Sequence, residues 1–407
     1  MKKDITRRGL GLGASALVLA APAVRAQTAA PTAVKIGYAV SKTGPNAGGT
    51  AVSITPNYQL WVRNVNATGG LRLGDRRAPI EVVEYDDRSS SEDAVRAIER
   101  LVNQDKVDLI LAPWGTALNL AIGPVMNRAG YPQIAVNAVT DRAPDLGRRW
   151  PNSFWFLGTS AEYAAGLVEL LSKQREAGLI GNNIAMVSVA DGFGIDLVNA
   201  ARPALQRAGF RASYDRTYPV GTQDMAPILA EAARSNPDAF IAFSYPPDTL
   251  AITEQARVSG FNPKMFYVGV GTAFPLFKER FGANAEGVMG IGGWQADSPR
   301  VQEYMRQHKE LVGREPDRWG SSVCYASLEM LQQAIERVGR IDRPAIIREL
   351  QTGTFDTILG PMKLEGNVRR EQWVVGQWQN GEFMAVAPAA KAGARPPVLP
   401  KPAWRST

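Results

Sequence analysis

One histidine and one cysteine occur in the 407 residues, and that scarcity bounds the chemistry. A catalytic or metal plan needing two histidines is excluded, as are a disulfide framework and a multi-thiolate zinc site. His308 sits in Gln307-His308-Lys309-Glu310, polar neighbours that read as a surface or boundary histidine rather than a general base. Cys324 lies in Ser321-Ser322-Val323-Cys324-Tyr325-Ala326, where a small buried apolar residue is the simpler reading and no obvious base accompanies the thiol. The Gly-x-Ser-x-Gly elbow, His-Glu-x-x-His and the Gly-x-x-x-x-Gly-Lys-Ser/Thr loop do not occur. Gly9, Gly11 and Gly13 follow no strand and so make no dinucleotide fingerprint. These residue types predict no catalytic residue, no metal and no cofactor, and they point to a binder.

The elements that would position a binding site are legible as an alternation. Short β-rich runs trade places with helix-period segments, the pattern of a parallel sheet covered by helices. In the first half the predicted strands are 34–40, 80–85, 109–111 and 133–136, with helices over 51–67 and 89–103. Ser89 and Glu92 read as a capping box for the second helix, ahead of Ala94, Val95, Ile98, Leu101 and Val102 on one face. The alternation then restarts: helix 161–173, strand 184–189, helix 195–208, strand 211–218, helix 226–235, strand 239–243, helix 249–259 and strand 265–268. Two successive doubly wound units predict two similar lobes with ligand chemistry at the carboxyl ends of their strands. Residues 299–350 read as nearly all helical. The Asn380-Gly381 pair predicts a hairpin between 373–378 and 383–386. The Ala/Pro-rich stretch 387–407 reads as a flexible tail.

Residues 1–26 read as an export signal. Lys2, Lys3, Arg7 and Arg8 precede an uncharged stretch from Gly9 to Ala23, and Val24-Arg25-Ala26 offers small residues for cleavage after Ala26. Thr6-Arg7-Arg8-Gly9-Leu10 fits a twin-arginine signal, the alternative being a general secretory one. Five basic residues and one acid in this segment supply four of the seven net positive charges, leaving +3 over residues 27–407. That is too little and too dispersed for a nucleic-acid surface. No apolar run in the remainder reaches transmembrane length.

Several motifs, in order and spacing, carry a resemblance: Ser41-Lys42-Thr43-Gly44-Pro45, Asn66-Ala67-Thr68-Gly69-Gly70-Leu71, Glu84-Tyr85-Asp86-Asp87, Asn182-Asn183-Ile184-Ala185, Asp191-Gly192-Phe193-Gly194, Ala285-Glu286-Gly287-Val288 and Tyr325-Ala326-Ser327-Leu328. Over 34–386 the chain resembles the periplasmic solute-binding proteins of the branched-chain amino acid (Leu/Ile/Val-binding) family, which serve ABC importers. The resemblance implies a type I periplasmic-binding fold: α/β, two doubly wound Rossmann-like lobes joined by three hinge crossings that let the lobes close on ligand. It sets the crossings near 154–158, 290–293 and 357–361. Lobe 1 then comprises 27–155 plus 293–356, lobe 2 comprises 156–292 plus 357–386, and 387–407 is the tail. The implied product is a periplasmic monomer that delivers a small-molecule ligand to an ABC transporter permease in the inner membrane. A ligand-sensing partner of a membrane receptor would use the same cleft, and an exported enzyme is a third reading.

The resemblance also implies the site. Its first ligand loop matches Pro113-Trp114-Gly115-Thr116-Ala117-Leu118-Asn119, where Thr116 and the free N–H groups at a helix start suit a carboxylate. Thr116 could equally be a plain helix cap. The second loop matches Asn137-Ala138-Val139-Thr140, giving Asn137 and Thr140. Tyr163, Phe193, Tyr245 and Trp114 are the expected aromatic walls, each of which could instead be core. In the loop Gly269-Val270-Gly271-Thr272, which also contributes Thr272 to the implied site, Gly271 stands where amino-acid binders carry an acid for the α-ammonium. That departure implies either that Glu162 or Asp191 substitutes, or that the ligand is a small carboxylate without an ammonium. A branched-chain amino acid is the runner-up ligand.

Overall fold

A computed structural model describes residues 32–294, 298–370 and 373–405. The predicted export signal lies outside the described residues. Among those described, no helix is long and apolar enough to cross a membrane.

The first half is built around Val34–Val40, which pairs in parallel with both Ile80–Asp86 and Leu109–Leu111. Val34, Ile36, Leu109 and Leu111 are all buried, which is why the central runs read as continuously apolar. Helix Ser91–Asn103 covers this sheet with Ala94, Ala97, Ile98 and Leu101. Its cap is Ser90, whose side chain accepts from Asp93 N, one residue past the predicted Ser89. Ser89 instead turns through a left-handed φ of +60°, and its hydroxyl donates to Thr43 O at 2.7 Å.

The second half is a seven-stranded sheet in the spatial order Glu382–Ala387, Val375–Gln379, Met289–Ile291, Met265–Val268, Ala239–Phe243, Asn183–Val189 and Arg211–Tyr218. The last five strands are mutually parallel. The first two form the predicted hairpin, antiparallel to each other, and Val375–Gln379 also pairs antiparallel with Met289–Ile291. Asn380 and Gly381 have φ of +54° and +82°, as the two-residue turn requires.

The predicted 51–67 helix is two helices, Ala47–Ser53 and Thr55–Ala67. Pro56 in the first turn of the second favours a fresh start over continuation. The long helical stretch is three, Pro299–Val312, Gly320–Val338 and Arg343–Thr352. Gly313 and Gly339, both at left-handed φ, end the first two.

Sheet membership places the three crossings. The chain leaves the first half after Ser153–Trp155, which pairs with Gln133–Ala135. It returns after Met289–Ile291, because Pro299–Val312 packs on Thr55–Ala67. The third crossing is not at 357–361. Hairpin Phe355–Thr357/Gly360–Met362 packs on Gly320–Val338, and Val368 still bridges Trp155, so the passage falls between Val368 and Val375. This moves 357–368 out of the second lobe.

Two further expectations are corrected. Residues 388–405 are mostly exposed but are tied to the body: Gln377 accepts from Val398 N, Trp404 stands edge-on to Phe266 at 5.6 Å, and Lys401 is buried. Side-chain bonds to backbone supply the order that composition alone did not promise. His308 is buried rather than at the surface. Its Nδ1 is 3.0 Å from Arg314 O, and its polar sequence neighbours face away on the same helix. Cys324 is buried, as expected.

Candidate functional site

The loops that follow strands Val34–Val40, Leu109–Leu111, Ala239–Phe243 and Met265–Val268 meet between the two sheets. Trp114 comes from the first half, and its ring lies 5.0 Å from that of Tyr245. Tyr245 in turn stacks on Phe193 at 5.1 Å and 19°. Three of the predicted aromatic residues thus form one cluster across the interface, with all three buried.

Polar groups fix the Trp114 and Tyr245 rings. Trp114 Nε1 donates to Ser53 Oγ at 3.1 Å, and Asn137 Nδ2 donates to the same oxygen at 2.9 Å. Tyr245 OH donates to Asp191 Oδ2 at 2.6 Å. The other Asp191 oxygen accepts from Phe193 N and Gly194 N, capping the helix that starts there. Burial, and then the Asp191 charge, raise the Tyr245 pKa far above that of a free phenol. Burial also raises Asp191 and lifts Asp248, beneath Tyr245, to about 6.

The remaining predicted residues separate into two groups. Asn137 adjoins the cluster through Ser53, and its Oδ1 is buried without a partner among the described residues. Gly271 lines the cavity described below. The hydroxyls of Thr116, Thr140, Thr272 and Tyr163 are engaged elsewhere. Thr116 both donates to Val139 O and accepts from Val139 N, each at 3.0 Å. Thr140 bonds Asp196, pinning one half to the other. Thr272 donates to Val268 O at 2.6 Å. Tyr163 OH accepts from Trp319 Nε1 at 3.4 Å. Ala117 is half-buried beside Gly192. Thr116 is also not the helix cap. Gly115, at φ +91°, holds that position.

A cavity of about 360 Å³ opens beside the aromatic cluster. Gly48 and Val52 line it from the first half, opposite Pro246, Leu250, Gly271, Phe274, Phe277 and Arg280 of the second. That volume suits one small solute. Its lining is largely apolar, Arg280 is its one ionisable group among the described residues, and no carboxylate lines it. An acid at 271 is sterically barred, since Gly271 has φ +108° and an added Cβ would sit 2.9 Å from Pro246 Cα. The two possible substitutes are engaged as well, Asp191 as above and Glu162 with Arg370 at 3.4 Å and in the Thr159 cap.

Sequence reading missed Ser53, Val52, Phe274, Phe277, Arg280 and Trp319. Only the small-residue pair Gly48-Gly49 hinted at the first of these, because Gly49 leaves room for the Trp114 ring, 2.5 Å from where a Cβ would be.

Two parallel-sheet lobes, three crossings and a solute-sized cavity between strand ends define the type I periplasmic-binding fold. The chain belongs to the periplasmic binding protein family, whose signature extends over residues 33–382, and is a solute-binding protein by that membership. It is 24% identical over 356 residues to Leu/Ile/Val-binding protein homolog 7 of Brucella suis biovar 1, covering 82% of this chain and 86% of the relative. A Rhodopseudomonas palustris solute-binding protein solved with benzoate superposes with a TM-score of 0.75 at 19% identity, over 91% of this chain and 97% of that one. A Streptococcus pneumoniae branched-chain amino acid transporter binding protein, solved with isoleucine, gives 0.74 at 20%, over 87% and 99%.

Proposed function

We propose that this protein captures a small carboxylate with an apolar or aromatic body between its lobes and delivers it to an ABC permease in the inner membrane. The carrying observation is the charge of the cavity lining, one guanidinium and no acid. An ammonium held there without a carboxylate would lose hydration for nothing, at a cost of several kcal/mol. A carboxylate gains Arg280 as a charge-assisted partner, while Phe274, Phe277 and Pro246 cover its body. Residues 32–155 plus 299–368 act as one jaw, and 160–291 plus 375–405 as the other. The protein works as a periplasmic monomer, exported by the twin-arginine segment and cleaved after Ala26.

Calorimetry on the purified protein tests the ligand class. Benzoate is expected to bind at least about tenfold more tightly than leucine, a difference of about 1.4 kcal/mol, and Arg280→Gln to weaken benzoate selectively. Leucine binding more tightly than benzoate would overturn the reading. A branched-chain amino acid remains the second ligand, favoured by the name of the Brucella relative.

A further inference from the structure

A second cavity, of about 150 Å³, lies where the three crossings meet. Leu157 lines it from the first crossing, Trp294 from the second and Val374 from the third, and it shares no lining residue with the solute cavity. Four charged or hydroxyl side chains line it: Arg318, Ser322, Arg369 and Lys391.

Two of them hold buried atoms with nothing to bond. Arg369 Nη1 and Ser322 Oγ are both buried without a hydrogen-bond partner among the described residues, and Ser322 has 0% exposure. Burial draws the Arg369 pKa down to about 10, so the group stays charged at neutral pH. The Arg318 guanidinium lies over the Trp294 ring at 5.6 Å. No described carboxylate pairs with either arginine. The nearby Asp317 is spent on the N–H groups of Trp319, Gly320 and Ser321 and on the Ser321 hydroxyl. A charged N–H buried without an acceptor is costly, and a native fold retains such a group where something else completes it.

We propose that this cavity is a second binding site, for a compact carboxylate held by Arg369, Arg318 and Ser322. Two forks and a hydroxyl match two carboxylate oxygens, and the Trp294 and Trp319 rings and Leu157 cover an apolar body. Inorganic phosphate would satisfy the same donors, but it would strand its remaining oxygens against those apolar walls. The site's walls come from all three crossings, so an occupant senses the angle between the lobes. Coupling is reciprocal: an anion here and a solute in the main cavity shift each other's affinity by the same factor.

The test is calorimetry with sodium acetate, benzoate and phosphate at fixed ionic strength, on wild type, Arg369→Gln, Ser322→Ala and Arg280→Gln. A carboxylate is expected to bind a site that Arg369→Gln weakens by about tenfold or more, the usual scale for a charged hydrogen bond. Ser322→Ala should weaken it less, and Arg280→Gln should leave it unchanged. Failure of the main-cavity reading would show as insensitivity to Arg280→Gln alone, and leaves this assignment standing. Identical titrations in wild type and Ser322→Ala would overturn it should Arg369→Gln fail to fold, and so would identical titrations in wild type and a folded Arg369→Gln. Preferential binding of phosphate would overturn the carboxylate class.

Discussion

At the scale of single residues, Gly271 says most about the ligand. Its departure from the acid of amino-acid binders was visible in the sequence. The reason it cannot be reversed was not, because it lies in a φ of +108° and in the approach of Pro246. Gly271→Asp is therefore expected to lose about 1–3 kcal/mol of stability by backbone strain without acquiring leucine affinity, as urea unfolding and calorimetry would show. Robust leucine binding by this variant would mean that the loop re-forms around an acid. The hydroxyl residues teach the opposite lesson. Thr116 and Thr272 have the right chemistry at the right strand ends, yet the carbonyls of Val139 and Val268 take their protons. Those carbonyls belong to the backbone path of a neighbouring loop or turn, and residue type does not report it.

At the scale of elements, strands were read more reliably than helix ends. Strands Leu109–Leu111, Ala239–Phe243 and Met265–Val268 have the predicted bounds, since runs buried on both faces leave an unbroken apolar signal; Val34–Val40 and the largely exposed edge strand Arg211–Tyr218 have theirs as well. Three-residue strands such as Leu71–Leu73 and Arg76–Ala78 are too short to show a period. Caps fail for a related reason, because adjacent serines are chemically equal until the backbone chooses one. Ser90 caps Ser91–Asn103 through Asp93 N at 3.3 Å, so Ser90→Ala is expected to cost about 1 kcal/mol. Denaturant unfolding would measure it, and a neutral result would show that the first turn finds another acceptor. The third crossing was misplaced because 355–362 carries a strand-like pattern that suits either lobe. Only its packing on Gly320–Val338 decides.

At the scale of the whole molecule, two features hold large parts together. The first is the contact between jaws: Trp114 against Tyr245, and Thr140 with Arg142 at Asp196. Tyr245→Ala removes the central ring and should populate a more open form, read as a larger radius of gyration by small-angle scattering without added solute. The second is the strap 388–405. Lys401 is its anchor, with Nζ donating to Asn262 Oδ1 at 2.7 Å and to Pro402 O at 2.8 Å and lying over the Trp404 ring. Burial lowers its pKa from 10.5 to about 7. Between those values the unfolded chain binds the proton and the native chain does not, so this group makes stability rise with pH from about 7 toward 10.5. Wild type should accordingly show a melting temperature with an upward component over that window that Lys401→Met lacks, since methionine fills the site without a proton to lose. Matching pH profiles for the two proteins would mean that Lys401 keeps its proton in the folded chain.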